Sequence, residues 1–215
     1  KGRKRAPRVN PTTEQQQKIN DRHLVRRLTR LLNANFNGDC WYITFDYRKE
    51  DRPKDVEELH KHEQKLLRDL RKIYKKEKRI FKYIWTAEIG DRGGAHIHMV
   101  VSAIDARKIR DIWKYGWTTF KPMDRSGQYR KLAEYFIKYF QKTRKTDAQI
   151  QKKSYNPSKN LLRPTPIKKP MKGNKFSREV KVPAGWYLDK ESLREGVTAE
   201  GYEFIYYTLI REEGG

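Results

Sequence analysis

One cysteine, Cys40, is all the chain carries, so neither an intrachain disulfide nor a cysteine-built metal cluster can form. The redox compartment is left unconstrained, and a reducing cytosol is compatible. Apolar runs are short throughout: none approaches the ~18 residues that a membrane-spanning helix needs. No basic amphipathic helix stands apart as an anchor, so a membrane is not an expected partner. No secretory leader is visible, and the chain opens at Lys1 without an initiator methionine, which leaves targeting open. The pattern Gly-x-x-x-x-Gly-Lys-Ser/Thr is missing, which excludes the usual phosphate loop of an ATP-driven helicase. Acidic residues are few for so polar a chain: 27 Asp and Glu face 50 Lys and Arg, for a formal net charge of +23. Such an excess costs self-repulsion in a compact fold. A polyanionic partner is therefore expected, nucleic acid foremost.

The length of 215 residues suits one domain with an appendage. Residues 1–37 read as a basic arm followed by a helix. The helix starts around Pro11-Thr12-Thr13-Glu14, where both threonines precede a Gln by three. Ile19, Leu24, Leu28, Leu31 and Leu32 recur near helical spacing, and Asn37-Gly38 ends the run. Residues 38–150 read as the core. Trp41 to Tyr47 alternates as a strand, with Trp41, Ile43, Phe45 and Tyr47 on one face and Tyr42, Thr44 and Asp46 on the other. Pro53 opens a helix to about Lys76. Ile80–Ile89 and Ala95–Ala103 are predicted strands joined by a hairpin at Asp91-Arg92-Gly93-Gly94. Asp105 caps a helix of about ten residues. Gly116–Lys121 is a fourth strand, and Arg130 to Lys145 a long helix. Residues 151–215 read as an extended basic segment and a C-terminal β segment packed on the core, with strands at Arg178–Val182 and Tyr202–Leu209. The order predicts an α+β fold: a mainly antiparallel sheet with helices on one face.

Two stretches carry chemistry. The first is Gly93-Gly94-Ala95-His96-Ile97-His98-Met99-Val100. Side chains alternate along a strand, so His96 and His98 point the same way while Ile97 and Met99 enter the core. Two imidazoles on one face can converge on an ion. A third ligand should come from a neighbouring strand, and Glu88 lies across the hairpin. Two His and one carboxylate leave positions open for water or a phosphate oxygen. His60 and His62 repeat the spacing inside a predicted helix. There they diverge by roughly 200° and read as solvated surface, as does His23.

The second stretch is Tyr135-Phe136-Ile137-Lys138-Tyr139-Phe140-Gln141-Lys142. On a helix Tyr135 and Tyr139 are neighbours, with Lys138 and Lys142 beside them and Phe136, Ile137 and Phe140 packing inward. A phenol has a pKa near 10. A metal-polarised phosphate and a nearby ammonium ease its attack on phosphorus. The product is a 5′-phosphotyrosine with a free 3′-hydroxyl. The link keeps the energy of the phosphoester and can be resealed. A second tyrosine one turn away can take a second cut.

Together these stretches resemble the HUH endonuclease superfamily, and within it the rolling-circle replication initiators. The Tyr-x-x-Lys-Tyr-x-x-Lys form is most similar to gene A proteins of small single-stranded DNA phages. The resemblance covers about 38–145. It implies His96, His98 and Glu88 as ligands of Mg²⁺ or Mn²⁺, and Tyr135, Tyr139, Lys138 and Lys142 as the catalytic set. It also implies an RRM-like or ferredoxin-like five-stranded antiparallel sheet. The implied function is nicking and religating a replication origin in the cytoplasm of a bacterial host. Single-stranded DNA or an origin hairpin is then the substrate, and a host helicase is an expected partner. Asp46 departs from the small residue common in the first motif, which leaves its role open. Arg3, Lys4, Arg5, Arg92, Lys168, Lys169 and Lys172 are candidate phosphate contacts. Trp113, Tyr115 and Trp117 read as core packing rather than base stacking. The competing readings are a transposase or relaxase of the same chemistry, a metal-dependent nuclease with structural tyrosines, and a non-catalytic RRM-like binder.

Overall fold

A computed structural model describes residues 13–89, 94–144, 153–170, 177, 179–198 and 200–212. The chain divides into two compact units, Lys1–Pro164 and Thr165–Gly215.

The first unit begins with α1, Glu14–Asn35, whose Thr13 side chain accepts a hydrogen bond from the Gln16 amide. Then come β1 (Trp41–Asp46), a 3₁₀ turn at Lys49–Asp51 and α2 (Val56–Lys76). Asp55, not Pro53, starts α2, because its carboxylate takes the Glu58 amide at 2.7 Å. β2 (Tyr83–Ile89), β3 (Ala95–Val101), α3 (Ala106–Arg110), β4 (Thr118–Pro122), α4 (Arg130–Arg144) and β5 (Asn156–Pro157) follow. α3 spans five residues, half the length expected.

The five strands form one antiparallel sheet in the order β4-β1-β3-β2-β5. The α+β class and the five-stranded antiparallel sheet are as expected from the sequence. The fifth strand is the two-residue β5, paired to Ile84 and Trp85, inside a stretch that had read only as extended.

The helices, expected on one face, divide between two. Ile43, Phe45, Trp85, Ala87, Ile97 and Met99 project to one side and pack on Leu59, Leu66, Leu70 and Tyr74 of α2 and Ile109 of α3. Ile84 and Val100, with half-buried Tyr42, project to the other side. They meet Leu28, Leu31 and Leu32 of α1 and Ala133, Phe136 and Ile137 of α4. The reason lies in the second face: one end of it is apolar and needs cover, so two helices lie there. The polar remainder of that face is then roofed by α4.

Gly116 fits where the chain doubles back onto the end of β1. Asp46 and Trp117 exchange backbone hydrogen bonds at 2.9 and 3.1 Å, and the Arg48 amide donates to the Tyr115 carbonyl at 2.9 Å. The Trp113 indole also donates to the Asp46 carbonyl at 2.8 Å. A Cβ at 116 would collide with that carbonyl oxygen. Trp113 is buried and Tyr115 half-buried, as expected, whereas Trp117 is 63% exposed.

The second unit contains a two-stranded antiparallel sheet, β6 (Trp186–Val197) with β7 (Glu203–Arg211). β7 matches the expected final strand. Residues 179–182 form no strand, although one was expected at 178–182. β6 was missed because its register shifts between Asp189 and Arg194, which breaks any period-two pattern.

Because the collision at position 116 is with backbone, Gly116→Ala should destabilise the protein by about 2 kcal/mol or more, an overpacking cost. A thermal melt of the two proteins side by side checks this. An unchanged midpoint would show that the β1 end tolerates displacement.

Candidate active site

Strand register alone gathers the polar side chains. β3 lies between β1 and β2, and His96 is the cross-strand partner of both Asp46 and Glu88. His98 is likewise the partner of both Thr44 and Thr86. All six residues project to the α1/α4 face, since their odd-numbered neighbours fill the opposite core.

His96 is half-buried, and its Nδ1 lies 2.5 Å from Asp46 Oδ1. That hydrogen bond is the main reason its pKa lies above the ordinary histidine value; burial works against it. The bond also fixes the ring and leaves Nε2 as the ring nitrogen available to a ligand.

His98 is buried. Its Nδ1 lies 2.9 Å from the Tyr42 hydroxyl and 3.3 Å from that of Thr44, while Nε2 lies 3.3 Å from Glu88 Oε1. One tautomer satisfies the set: Nε2–H donates to Glu88, and Nδ1 accepts from Tyr42. Glu88 is 7% exposed, and its Oε2 has no hydrogen-bond partner among the described residues. A buried carboxylate oxygen left unpaired is costly unless a cation or donor reaches it.

α4 lays its phenols over this row. The Tyr139 ring stacks on His98, with centroids 4.4 Å apart and planes 3° from parallel. Tyr135 meets Tyr139 edge-on at 4.1 Å and His98 at 6.0 Å. Buried Ala133, Phe136, Ile137 and Phe140 hold the opposite side of the helix in the core, which fixes this facing. Tyr135 is 43% exposed, so a substrate can reach it. Its phenol is pushed above the ordinary value by burial first and by the charge of Glu88 second; a hydrogen bond with Tyr42 opposes both. As it stands the phenol is protonated and a weak nucleophile.

The donor chemistry fits a divalent cation: two imidazoles and a carboxylate on adjacent strands, one carboxylate oxygen orphaned. The donors are not drawn together, however. The His98 Nε2 is turned to Glu88, and among the described residues no three His, Cys, Asp or Glu side chains already surround a common point.

Lys138 is exposed on α4, and Lys142 lies in the last turns of that helix. Lys168 and Lys169 are exposed in the second unit, in chain without regular structure. Arg3, Lys4, Arg5, Arg92 and Lys172 lie outside the described residues, as does the hairpin turn at 91–93. Sequence reasoning missed Tyr42 and Thr44 as members of the site and left Asp46 open. Their alternation with Ile43 and Phe45 was the available signal. The surface reading of His60 and His62 needs correction. His60 lies 2.7 Å from buried Glu63, and His62 stacks on Tyr115 at 3.8 Å and lies 3.1 Å from the Tyr47 hydroxyl. Glu63 is the i+3 neighbour of His60 on α2, whereas the partners of His62 come from outside the helix, where no helical wheel displays them.

Asp46→Asn should lower the pKa of His96 towards the ordinary ~6.5. NMR titration of the imidazole in chelator checks it, and an unmoved pKa would separate the two side chains. The sign for stability follows. A raised histidine pKa contributes stability at pH values below the ordinary one and loses it as pH climbs through the raised one. The substitution should therefore cost most near about pH 5–6 and least near about pH 9.

Residues 40–144 match a family model, that of the replication-associated protein ORF2/G2P. The matched span runs from Cys40 to the end of α4 and includes Glu88, His96, His98, Tyr135 and Tyr139. No curated protein and no solved structure matches the chain significantly. The match likens this span, just under half of the chain, to a replication-initiator family, and the span contains the residues that the sheet and α4 bring together.

Proposed function

We propose that the chain is a site-specific single-strand DNA endonuclease that nicks an origin and can reseal it. The observation that carries this reading is the juxtaposition of two phenols with His98 beside a buried carboxylate, one oxygen of which has no partner among the described residues.

His96, His98 and Glu88 would hold Mg²⁺ or Mn²⁺. When bound, the ion supplies positive charge that polarises the scissile phosphate and neutralises Glu88. Asp46 keeps His96 oriented. Tyr42 and Thr44 hold the His98 ring in place. One tyrosine oxygen, having given up its proton, attacks the phosphorus. An oxygen–phosphorus bond forms as the bond from phosphorus to the 3′ oxygen breaks. The 3′ oxygen leaves and takes a proton, while the 5′ side stays on tyrosine. The reverse reaction reseals the strand. Tyr135 and Tyr139 stand 4.1 Å apart, centroid to centroid, so one can act while the other carries DNA. Lys138 and Lys142 offer positive charge along the same helix.

A transposase or relaxase would use the same chemistry. A non-catalytic binder accounts for the charge, but gives no reason for burying an unpaired Glu88 oxygen under two phenols.

Origin-bearing single-stranded DNA incubated with the protein and Mn²⁺ should give an adduct stable on a denaturing gel. Tyr135→Phe and Tyr139→Phe should each reduce it. The double substitution should lower it by more than about 10³-fold, the scale of losing a nucleophile. Chelation should abolish it. An undiminished adduct in the double variant removes the tyrosines from the chemistry.

A further inference from the structure

A second concentration of charge lies on α1, built from residues that the cleavage chemistry does not use. His23, Arg26, Arg27 and Arg30 follow the i, i+3, i+4, i+7 spacing of one helical face. Leu24, Leu28, Leu31 and Leu32 occupy the adjoining face and enter the core. Tyr155 and Arg163, from the chain that carries β5, close the other side of a cavity of about 470 Å³.

The groove is held, not incidental. Leu161 is buried, and Tyr155 packs against the same core cluster as α1. Asn35, the last residue of α1, clamps the returning chain with two hydrogen bonds of 2.8 Å: its amide donates to the Leu162 carbonyl, and its carbonyl accepts the Leu162 amide. The returning chain therefore sets Arg163 against α1 as part of the fold.

Among the described residues, no acidic side chain lines the cavity. Arg27, Arg30 and Arg163 make no ion pair among the described residues. The guanidinium groups of Arg27, Arg30 and Arg163 around one cavity repel one another, and an anion offsets that repulsion. The planar donor fork of arginine matches phosphate oxygens two at a time. A helical row of such forks suits a ligand whose phosphates are themselves in a row.

We propose that this groove is a second DNA site, in which Arg27, Arg30 and Arg163, with His23 and Arg26, grip the phosphodiester backbone away from the nicked bond. The choice of DNA as the polyanion rests on the function proposed above; the groove and its charge do not. α1 and α4 pack over the same face of the sheet, so the groove and the tyrosines belong to the helix pair on one side of it.

The test is fluorescence anisotropy in chelator, across a salt series, with a labelled single strand and the corresponding duplex. Arg27→Ala/Arg30→Ala/Arg163→Ala should weaken binding at least about tenfold. It should also flatten the salt dependence by about 2 on a single strand or about 2.7 on a duplex. The form of DNA that shows the loss is the form the groove takes. Arg68→Ala/Lys75→Ala/Lys76→Ala on α2 removes the same charge elsewhere and should cost less than about threefold. Equal losses in the two triples, or an unchanged salt slope, would overturn the proposal. Arg27→Lys/Arg30→Lys/Arg163→Lys keeps the charge and should restore the slope. Should the alanine triple lose its circular-dichroism signal, Arg163→Gln alone, on exposed coil, must still weaken binding. Adduct formation is scored separately on the unaltered chain. An adduct with no groove dependence sinks the groove alone; groove-dependent binding with no adduct sinks the nicking reading alone.

Discussion

β3 sits between β1 and β2, and its register with both is the constraint on which the site depends. Because side chains alternate, a slip of one residue would turn His96 and His98 into the core and bring Ile97 and Met99 out. The apolar set prevents that. Phe45, Ile97 and Ala87 form one cross-strand row, and Ile43, Met99 and Trp85 form the next. Burying these rows under α2 holds the strands in place, at roughly 1.5–3 kcal/mol for each large side chain. The polar rows Asp46–His96–Glu88 and Thr44–His98–Thr86 then come into line on the reverse face as a consequence. Packing on one side of the sheet thereby sets geometry on the other.

The helix above the polar face is fixed by the same logic. Ala133, Phe136, Ile137 and Phe140 bury one side of α4, and Tyr135 and Tyr139 are left looking at His98. The phenols gain ring stacking but little activation. Burial and the Glu88 charge both hold the Tyr135 proton on. Glu88 carries the opposite burden, a carboxylate oxygen shut from water and without a partner among the described residues. One positive charge placed between them would relieve both, since it would satisfy the carboxylate and favour the phenolate.

Much of this was legible in the sequence, and for definite reasons. His96 and His98 could be placed on one face because a strand has period two, and Tyr135 and Tyr139 because i and i+4 are neighbours on a helix. Glu88 could be placed on the neighbouring strand because it lies eight residues before His96 across a hairpin; that it is the direct cross-strand partner of His96 came from the structure. Asp46 was visible as a member of the right face, but its grip on the His96 ring was not. The division of helices between two faces was also hidden, since α1 and α4 read as amphipathic wherever they dock. β5 is two residues long and contains a proline, so it carries no pattern to detect.

The chain by itself determined which residue types stood ready: an excess of positive charge for a polyanion, imidazoles at strand spacing, phenols at helix spacing. These are properties of local periodicity and composition, written within a few residues of one another. The tertiary structure alone decided the partnerships that cross long loops. It put His98 under Tyr139, turned His62 onto Tyr115, and brought Arg163 to the arginine face of α1. Local preference cannot specify such meetings, because they arise only when separate apolar faces share a common core and carry their polar neighbours with them.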